Sequence, residues 1–277
     1  MILAPIGPMI RPAVRAQVGP RLGMGLDARA RRLFTQALGG AMLSVDRPEY
    51  LYQANDTTTP VTGYNQPVGR ILDQSGKGTH FGQSTTTSRP MRMQDAGGFS
   101  YLQVRTDDFL QSLASVDYSA AAYVTTIMAQ IRRQSASTGV IYETTAATSN
   151  TNGSLGCFQN YAGVAGNIGA RSRGTVIGEA QQSGDVLGQK TLITHVASIS
   201  APLSRVFVAG AMAETTQSQG TGGYVAAPEY LFARAGTSLY ADLDFYAMLQ
   251  IATAQPLTPQ QLYIAQLWCA SKMGVKP

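Results

Sequence analysis

The stretch VGRILDQSGKGTHFGQSTTTSRP, residues 68–90, decides how the rest of the chain is interpreted. An apolar run around Ile71 is typical of a β-strand, and Asp73 comes just before a turn that contains Gly76 and Gly78. Glycine lets the backbone reverse where a side chain would clash, and an aspartate in this position can accept hydrogen bonds from the turn. We therefore predict that Asp73, Gly76 and Gly78 form a structural turn after the first strand of the domain.

The composition favours an all-β protein. The chain has 277 residues, of which 44% are hydrophobic and 13% charged, and its 29 glycines separate many short apolar runs. Such runs predict roughly a dozen strands, and one sandwich of this length is an ordinary single domain. The longest predicted strand, residues 239–251, places alternate apolar side chains on one face. These side chains are Leu243, Phe245, Ala247, Leu249 and Ile251.

Two helices are predicted. Residues 26–38 repeat apolar side chains at helical spacing, and the glycine pair at 39–40 can end that helix. This helix could dock on its own domain or on a neighbouring chain, and the pattern leaves both open. Near the C-terminal end, Thr258 fits the N-cap position of a helix and Pro259 fits its first residue.

The positive charge lies in the N-terminal arm. Residues 1–35 hold six arginines against one acidic residue, which accounts for the formal net charge of +5. Prolines and apolar residues in 1–25 favour an extended arm on a partner over a free tail, because its apolar side chains gain burial only on a partner. Loose arginine spacing and few aromatic residues argue against nucleic acid and favour an acidic protein surface. The predicted anchor residues are Arg11, Arg15, Arg21, Arg29, Arg31, Arg32, Leu33 and Phe34.

Motifs for nucleotide, metal and nucleophile sites are incomplete. The run GMGLDA at 23–28 follows a proline-rich arm and not a strand, and the run GKG at 76–78 lacks the earlier glycine of a phosphate loop. The two histidines and two cysteines have no metal-ligand spacing. We expect buried, unpaired Cys157 and Cys269, a packed His195, and no cofactor.

The acidic residues predict no catalytic pair. Asp242 and Asp244 share one strand face and Glu143 is isolated, so we expect solvated surface groups and not a glycosidase site. A calcium site that uses Asp73, Asp107 or Asp108 is the one metal alternative, since calcium takes oxygen ligands.

The N-terminal sequence predicts neither a signal peptide nor a membrane span. The run MILAPIGPMI is broken by two prolines and has no charged leader. No segment approaches the ~18 uninterrupted apolar residues that a span requires. We expect a protein made in a cytoplasm, without membrane contact.

Residues 66–90, QPVGRILDQSGKGTHFGQSTTTSRP, resemble the opening of concanavalin A-like (laminin-G-like) jelly-roll proteins of tailed bacteriophages and prophages. Weaker similarities follow at 101–108, 220–224 and 236–239, and in the closing helix at 257–274. The resemblance implies a two-sheet antiparallel jelly-roll sandwich at 40–277, preceded by an arm and anchoring helix at 1–39. It also implies a virion structural protein, made in the bacterial host, at a capsid, neck or tail position.

The first functional hypothesis is therefore a structural phage protein. Its arm would bind other virion proteins or further copies of itself, as a homo-oligomer, and display the jelly roll outward. The alternative is an adhesin for host-surface glycans, with Tyr161, Tyr224 and Tyr230 as stacking candidates or as packed rim residues. A polysaccharide-cleaving enzyme is the third, and the missing Glu-x-Asp-x-x-Glu motif of the glycanase branch argues against it.

Overall fold

A computed structural model of the chain describes residues 25–134 and 136–277. Within these residues the strands form two nine-stranded antiparallel sheets and one two-stranded ribbon. Single turns of 3₁₀ helix cover Leu33–Thr35, Pro48–Tyr50, Thr86–Ser88 and Tyr161–Gly163. In chain order the other elements are α1 (Leu26–Arg32), β1 (Gly39–Ser44), β2 (Leu51–Tyr52), β3 (Gln66–Pro67), β4 (Arg70–Ile71), β5 (Phe81–Gly82), β6 (Met91–Gln94), β7 (Ser100–Val104), β8 (Leu110–Ser112), β9 (Val116–Asp117), β10 (Tyr123–Arg132), β11 (Gly139–Thr144), β12 (Ser154–Gln159), β13 (Asn167–Arg173), β14 (Ile177–Ser183), β15 (Lys190–Ser198), β16 (Leu203–Val208), β17 (Ala211–Thr215), β18 (Ala226–Ala227), β19 (Glu229–Leu231), β20 (Leu243–Thr253) and α2 (Pro259–Lys272).

The two large sheets pack face to face around one core. Sheet A has the order β17-β16-β15-β10-β20-β7-β6-β3, with β1 also paired to β20, and sheet B has the order β14-β13-β12-β11-β19-β8-β5-β4-β2. Leu43, Met128 and Phe245 of sheet A meet Phe81 and Leu231 of sheet B in the buried interior. The predicted all-β, two-sheet jelly-roll sandwich is confirmed. Most of the predicted arm, residues 1–24, lies outside the described residues.

A bulge in β20 divides its apolar residues between two cores. Phe245 pairs with Gln130 and Ala247 with Ala129, so Tyr246 is the extra residue. After the bulge the faces are exchanged: Phe245 points into the sandwich, whereas Ala247 and Leu249 point outward. The predicted single apolar face of this strand is therefore wrong, because an inserted residue reverses the alternation.

The outward apolar residues of sheet A are covered by the two helices. Ala265, Trp268 and Cys269 of α2 pack with Ile127 and Leu249 in this second core. The predicted cap of α2 is confirmed and extended to a capping box: Thr258 Oγ1 accepts from Gln261 N at 3.3 Å, and Gln261 Oε1 accepts from Thr258 N at 2.9 Å. A capping box satisfies free donors of the first turn, so the start of α2 is locally encoded.

The N-terminal helix docks on its own domain. It is shorter than predicted: α1 ends at Arg32, and the glycine pair begins β1 instead of closing the helix. Gly40 has φ +127°, and a Cβ there would lie 2.0 Å from the carbonyl oxygen of Gln250, so strand pairing requires this glycine. The pattern alone could not show that the glycines serve β1.

One carboxylate fastens α1 to α2. Asp27 Oδ1 accepts hydrogen bonds from Trp268 Nε1 at 2.8 Å and from Lys272 Nζ at 3.0 Å, and Arg47 reaches Asp27 Oδ2. Burial on its own raises the pKa of Asp27, but the bonds from Trp268 and Lys272 outweigh it and lower the pKa to about 2. The Asp27 carboxylate is therefore ionised at neutral pH and stabilises the packing of α1 on α2.

Replacing Asp27 with asparagine should weaken the contact between α1 and α2. We expect Asp27→Asn to lower the free energy of unfolding by about 1 kcal/mol at pH 7, a modest value because solvent screens partly exposed pairs. The lowered pKa gives stability that is present above the pKa of the unfolded state and lost as the pH falls through about 2. Urea unfolding should therefore show the difference shrinking in acid. Arg29→Ala, at an exposed position, is the control. An equal loss of unfolding free energy in both variants would contradict the stabilising role of Asp27.

The turn after β4 is built around Asp73. Its Oδ1 accepts from Met42 N at 2.9 Å and Ser75 N at 2.8 Å. Its Oδ2 accepts from Ser75 Oγ at 2.6 Å, Lys77 N at 3.1 Å and Gly78 N at 2.9 Å. Gly76 and Gly78 have φ of +86° and +81°, which glycine adopts without strain. The turn therefore has the form predicted, and it also bonds to β1 across the chain.

Candidate functional site

The outer face of sheet B carries a continuous row of side chains across all nine strands, which we call the outer row. The neighbouring register pairs, such as Tyr142 with Leu231, lie in the core, so the row itself faces outward. On sheet A, α1 and α2 cover the outer face of the central strands β10 and β20. From β14 to β2 the outer row reads Glu179, Arg171, Gly156, Glu143, Tyr230, Gln111, Gly82, Arg70 and Tyr52.

The β14 side of the outer row is a closed ionic network. Arg171 Nε donates to Glu179 Oε2 at 2.6 Å, and its guanidinium lies 4.9 Å from the ring centroid of Tyr161. Glu143 is fully buried, and Arg234 Nε donates to its Oε2 at 3.0 Å. Because these charged groups are already paired and packed, this half of the row is structural.

The other half of the row opens into a pocket of about 300 Å³. Gly82 is on its floor, with Gln111 beside it in the register. The walls include the side chains of Asn55, Phe109 and Leu113, and Leu113 is 41% exposed. Amides that donate and accept, next to an aromatic ring, suit a polyhydroxylated ligand.

The three tyrosines proposed for stacking have different positions. Tyr230 is half-buried in the outer row and pairs with Gln111 at the edge of the pocket. Contrary to the stacking expectation, Tyr224 is buried, with its hydroxyl 3.1 Å from Ser172 Oγ, and offers no ring face to a ligand. Tyr161 is also buried, because its ring lies over Gly169, where a Cβ would come within 2.3 Å of it. Burial, and next the hydrogen bond to Glu179, raise the pKa of Tyr161 to about 12.

The predicted anchor residues are not one surface. Leu33 and Phe34 are buried against the domain that carries them, so they are not available to a partner as the sequence suggested. Arg29 and Arg32 are exposed, whereas Arg31 is half-buried with its Nη2 3.4 Å from Tyr50 Oη. The predictions for Arg11, Arg15 and Arg21 lie outside the described residues.

The acidic pair on β20 is not a solvated surface. Asp244 is fully buried, and it accepts from Arg105 Nη2 at 2.9 Å and from Arg133 Nε at 2.8 Å. Asp242 Oδ1 lies 2.8 Å from Arg105 Nη1. The expectation of solvated groups is wrong for Asp244, because two distant arginines converge on it from β7 and from the end of β10.

The histidine and cysteine predictions are confirmed. His195 is buried in β15, with Nδ1 2.6 Å from Tyr142 Oη, and burial lowers the pKa of its imidazole to about 3. Cys157 and Cys269 are buried and unpaired.

The described part of the chain offers neither a metal-binding cluster nor a membrane-spanning helix. Across residues 25–134 and 136–277, no group of three or more His, Cys, Asp or Glu side chains is placed to hold a metal ion. Of the acids suggested for calcium, Asp73 uses both oxygens on the turn, and Asp108 Oδ2 accepts from Arg105 N at 2.9 Å. No described helix is long and apolar enough to cross a membrane.

Comparison with known proteins gives a likeness of fold. No family model matches the chain, and no curated protein matches it. A GH54 α-L-arabinofuranosidase mutant has a TM-score of 0.58 at 12% identity over 88% of this chain and 64% of its own. The HCR/D mutant has a TM-score of 0.52 at 8% identity, over 84% of this chain and 52% of its own. Botulinum neurotoxin type C, in a structure concerned with two ganglioside molecules, has a TM-score of 0.51 at 7% identity, over 84% of this chain and 51% of its own. The chain thus spans about half to two thirds of their length, and it shares with them a jelly-roll-like β-sandwich.

Proposed function

We propose that the protein binds a glycan on the outer face of sheet B. The observation that carries the proposal is the pocket beside Gln111 and Tyr230, on an outer sheet face that α1 and α2 leave uncovered. Side-chain amides can donate to and accept from neighbouring sugar hydroxyls at once, and an aromatic ring packs against the apolar face of a sugar.

The fold neighbours support the proposal of glycan binding at the level of the fold. One of them, botulinum neurotoxin type C, is described with two ganglioside molecules, and another is an arabinofuranosidase. Identities of 7% and 12% carry the fold only. The glycan role of this chain therefore rests on its own pocket.

We also propose that binding is not accompanied by hydrolysis. Glycoside cleavage needs one carboxyl group to donate a proton and another to act as base or nucleophile. Glu143 is held by Arg234 and by Thr148 N at 2.7 Å, and Asp244 is held between Arg105 and Arg133. Both carboxylates are occupied by structural partners, so release of reducing sugar from any bound polysaccharide would contradict this part of the proposal.

A glycan array probed with the full chain tests the binding face. We expect the wild-type protein to bind at least one glycan and Tyr230→Ala to weaken that binding by about tenfold, as loss of a pocket-edge aromatic typically does. Tyr263, which is 54% exposed on α2, provides the matched control Tyr263→Ala. A wild-type chain that binds no glycan, or an equal loss in both variants, would contradict the assignment.

A second candidate function is attachment to a phage particle through the arm. It is favoured by the arginines of residues 1–35, because a basic arm on a neutral domain suits an acidic protein surface. Since residues 26–38 belong to the packed domain, the informative truncation removes only residues 2–24. We expect the truncated chain to fold and to be lost from purified particles; normal incorporation would contradict the anchoring role.

A further inference from the structure

Glycine at position 82 lets two wall side chains of the pocket pack directly against β5. A Cβ on Gly82 would lie 1.9 Å from Asn55 Oδ1 and 2.7 Å from Leu113 Cδ2, so a larger residue would displace both side chains. Phe109, on the wall, is held in the same way by Gly236, where a Cβ would come within 2.5 Å of the ring. Two glycines thus fix the positions of the Asn55 and Leu113 side chains and of the aromatic wall.

The side chains that line the pocket are uncharged. They are the amides of Asn55, Gln83 and Gln111, three hydroxyl groups, and the apolar Phe109 and Leu113. Gln83 is engaged within the chain, since its Oε1 accepts from Thr85 N at 2.8 Å and its Nε2 donates to the Phe109 carbonyl at 3.3 Å. Asn55 Oδ1 is buried without a hydrogen-bond partner among the described residues. Because the Asn55 oxygen is closed to a ligand, the polar group of the site that can adapt to one is the Gln111 amide.

The nearest cations, Arg89 and Arg70, do not line the pocket. Arg89 donates to the carbonyls of Gln83 at 3.1 Å, Gln53 at 3.0 Å and Ser84 at 2.9 Å. Arg70 is the register partner of Gly82 on the far side. The pKa of Asp56 is lowered, first by hydrogen bonds from Thr58 and then by the charges of Arg70 and Arg89, so this carboxylate offsets part of their field.

We propose that the pocket selects a neutral sugar and disfavours acidic ones such as sialic acids or uronates. The inference rests on the proposed glycan binding and adds the ligand class. A carboxylate placed against uncharged amides loses its hydration without gaining a cation, which is costly. A neutral pyranose in the pocket can place hydroxyl groups toward the Gln111 amide and an apolar face toward Phe109.

Titration of the full chain with matched sugars tests the ligand class. The probes are lactose, cellobiose and maltose on one side, and sialyllactose and oligogalacturonate on the other. We expect a neutral sugar to bind at least about tenfold more tightly than any acidic one. Raising NaCl from about 50 mM to about 500 mM should change this binding less than about twofold, because screening acts on charges.

Two variants tie that preference to the pocket. Gln111→Ala should weaken binding of the neutral sugar about fivefold, and Gly82→Val should abolish it by displacing Asn55 and Leu113 from the pocket wall. The exposed Gln260→Ala on α2 is the matched control and should bind as the wild type does. If Gly82→Val misfolds, Gln111→Ala still decides, and thermal melting identifies that case.

The possible failures are distinguishable. Tighter binding of acidic sugars, or steep weakening by salt, would overturn the neutral class and leave the glycan function standing. Neutral sugar binding that is unchanged in Gln111→Ala would overturn the pocket as its location. If neither kind of sugar binds, the proposed function fails and the inference fails with it.

Discussion

Asp73→Ala should lower the free energy of unfolding by about 4 kcal/mol. The carboxylate accepts five hydrogen bonds, four of them from the backbone N–H groups of Met42, Ser75, Lys77 and Gly78. The Asp73 side chain is only 7% exposed and Met42 is fully buried, so water cannot replace every lost acceptor. Hydrogen bonds within the turn alone would predict a loss of unfolding free energy near 1 kcal/mol. The larger value follows because Asp73 also bonds to Met42 of β1 and is itself buried.

Urea unfolding of three variants separates the causes. Ser75→Ala removes one of the five bonds and should cost about 1 kcal/mol. Gly76→Ala introduces a Cβ into open space at φ +86°, so its cost of about 1 kcal/mol reports backbone strain alone. A loss for Asp73→Ala no greater than that for Gly76→Ala would show that the glycines, and not the carboxylate, hold the turn.

Glu229 should make the protein less stable as the pH rises from about 4.5 to about 7. Its carboxyl bridges the sheets: Oε1 accepts from Gln250 Nε2 at 2.9 Å, and Oε2 lies 3.1 Å from Tyr118 Oη. Tyr118 Oη also contacts Gln250 Oε1. A hydroxyl has one proton, so Tyr118 cannot donate to both acceptors; a proton on Glu229 completes the ring by donating to Tyr118 Oη.

Burial is the main cause of the unusual titration. It raises the pKa of Glu229 from 4.5 to about 7, and the hydrogen bonds from Gln250 and Tyr118 offset only part of the rise. The folded state then holds a proton that the unfolded state releases, so stability is lost as the pH rises through that window. The shift corresponds to about 3 kcal/mol between the two ends of the window.

Glu229→Gln isolates this effect, because an amide can complete the same ring without titrating. We expect the variant to match the wild type near pH 4 and to be about 3 kcal/mol more stable near pH 8. Glu49→Gln, at a residue whose side chain is 59% exposed, is the control for removal of a carboxylate. Comparing the variants removes contributions from other buried acids, and a gap that is constant with pH would show that Glu229 is ionised throughout.

Local features were predictable from the sequence. The Asp73 turn and the cap of α2 each involve residues within a few positions of one another, so residue type and spacing specify them. The repeated short apolar runs likewise predicted the all-β sandwich. For the turn and the cap, the local hydrogen bonds are contained in the pattern, whereas the bond from Met42 N to Asp73 lies outside it.

Features set by tertiary contacts were not predictable. The bulge at Tyr246 depends on pairing between β10 and β20, and the burial of Leu33 depends on packing with residues of α2 far along the chain. The pocket joins Asn55, Gly82 and Gln111 through the register of sheet B. Glycine at 82 and a half-buried amide at 111 have no sequence signature of a site, so alternation alone would not have found them.

Backbone amide NMR of the full chain during titration with a neutral oligosaccharide locates the binding face. We expect the perturbed amides to cluster along the outer row at Tyr230, Gln111 and Gly82 and around Phe109, while those of α2 near Tyr263 stay unchanged. No perturbation by any saccharide, or perturbations confined to α1 and α2, would contradict glycan binding on the outer face of sheet B.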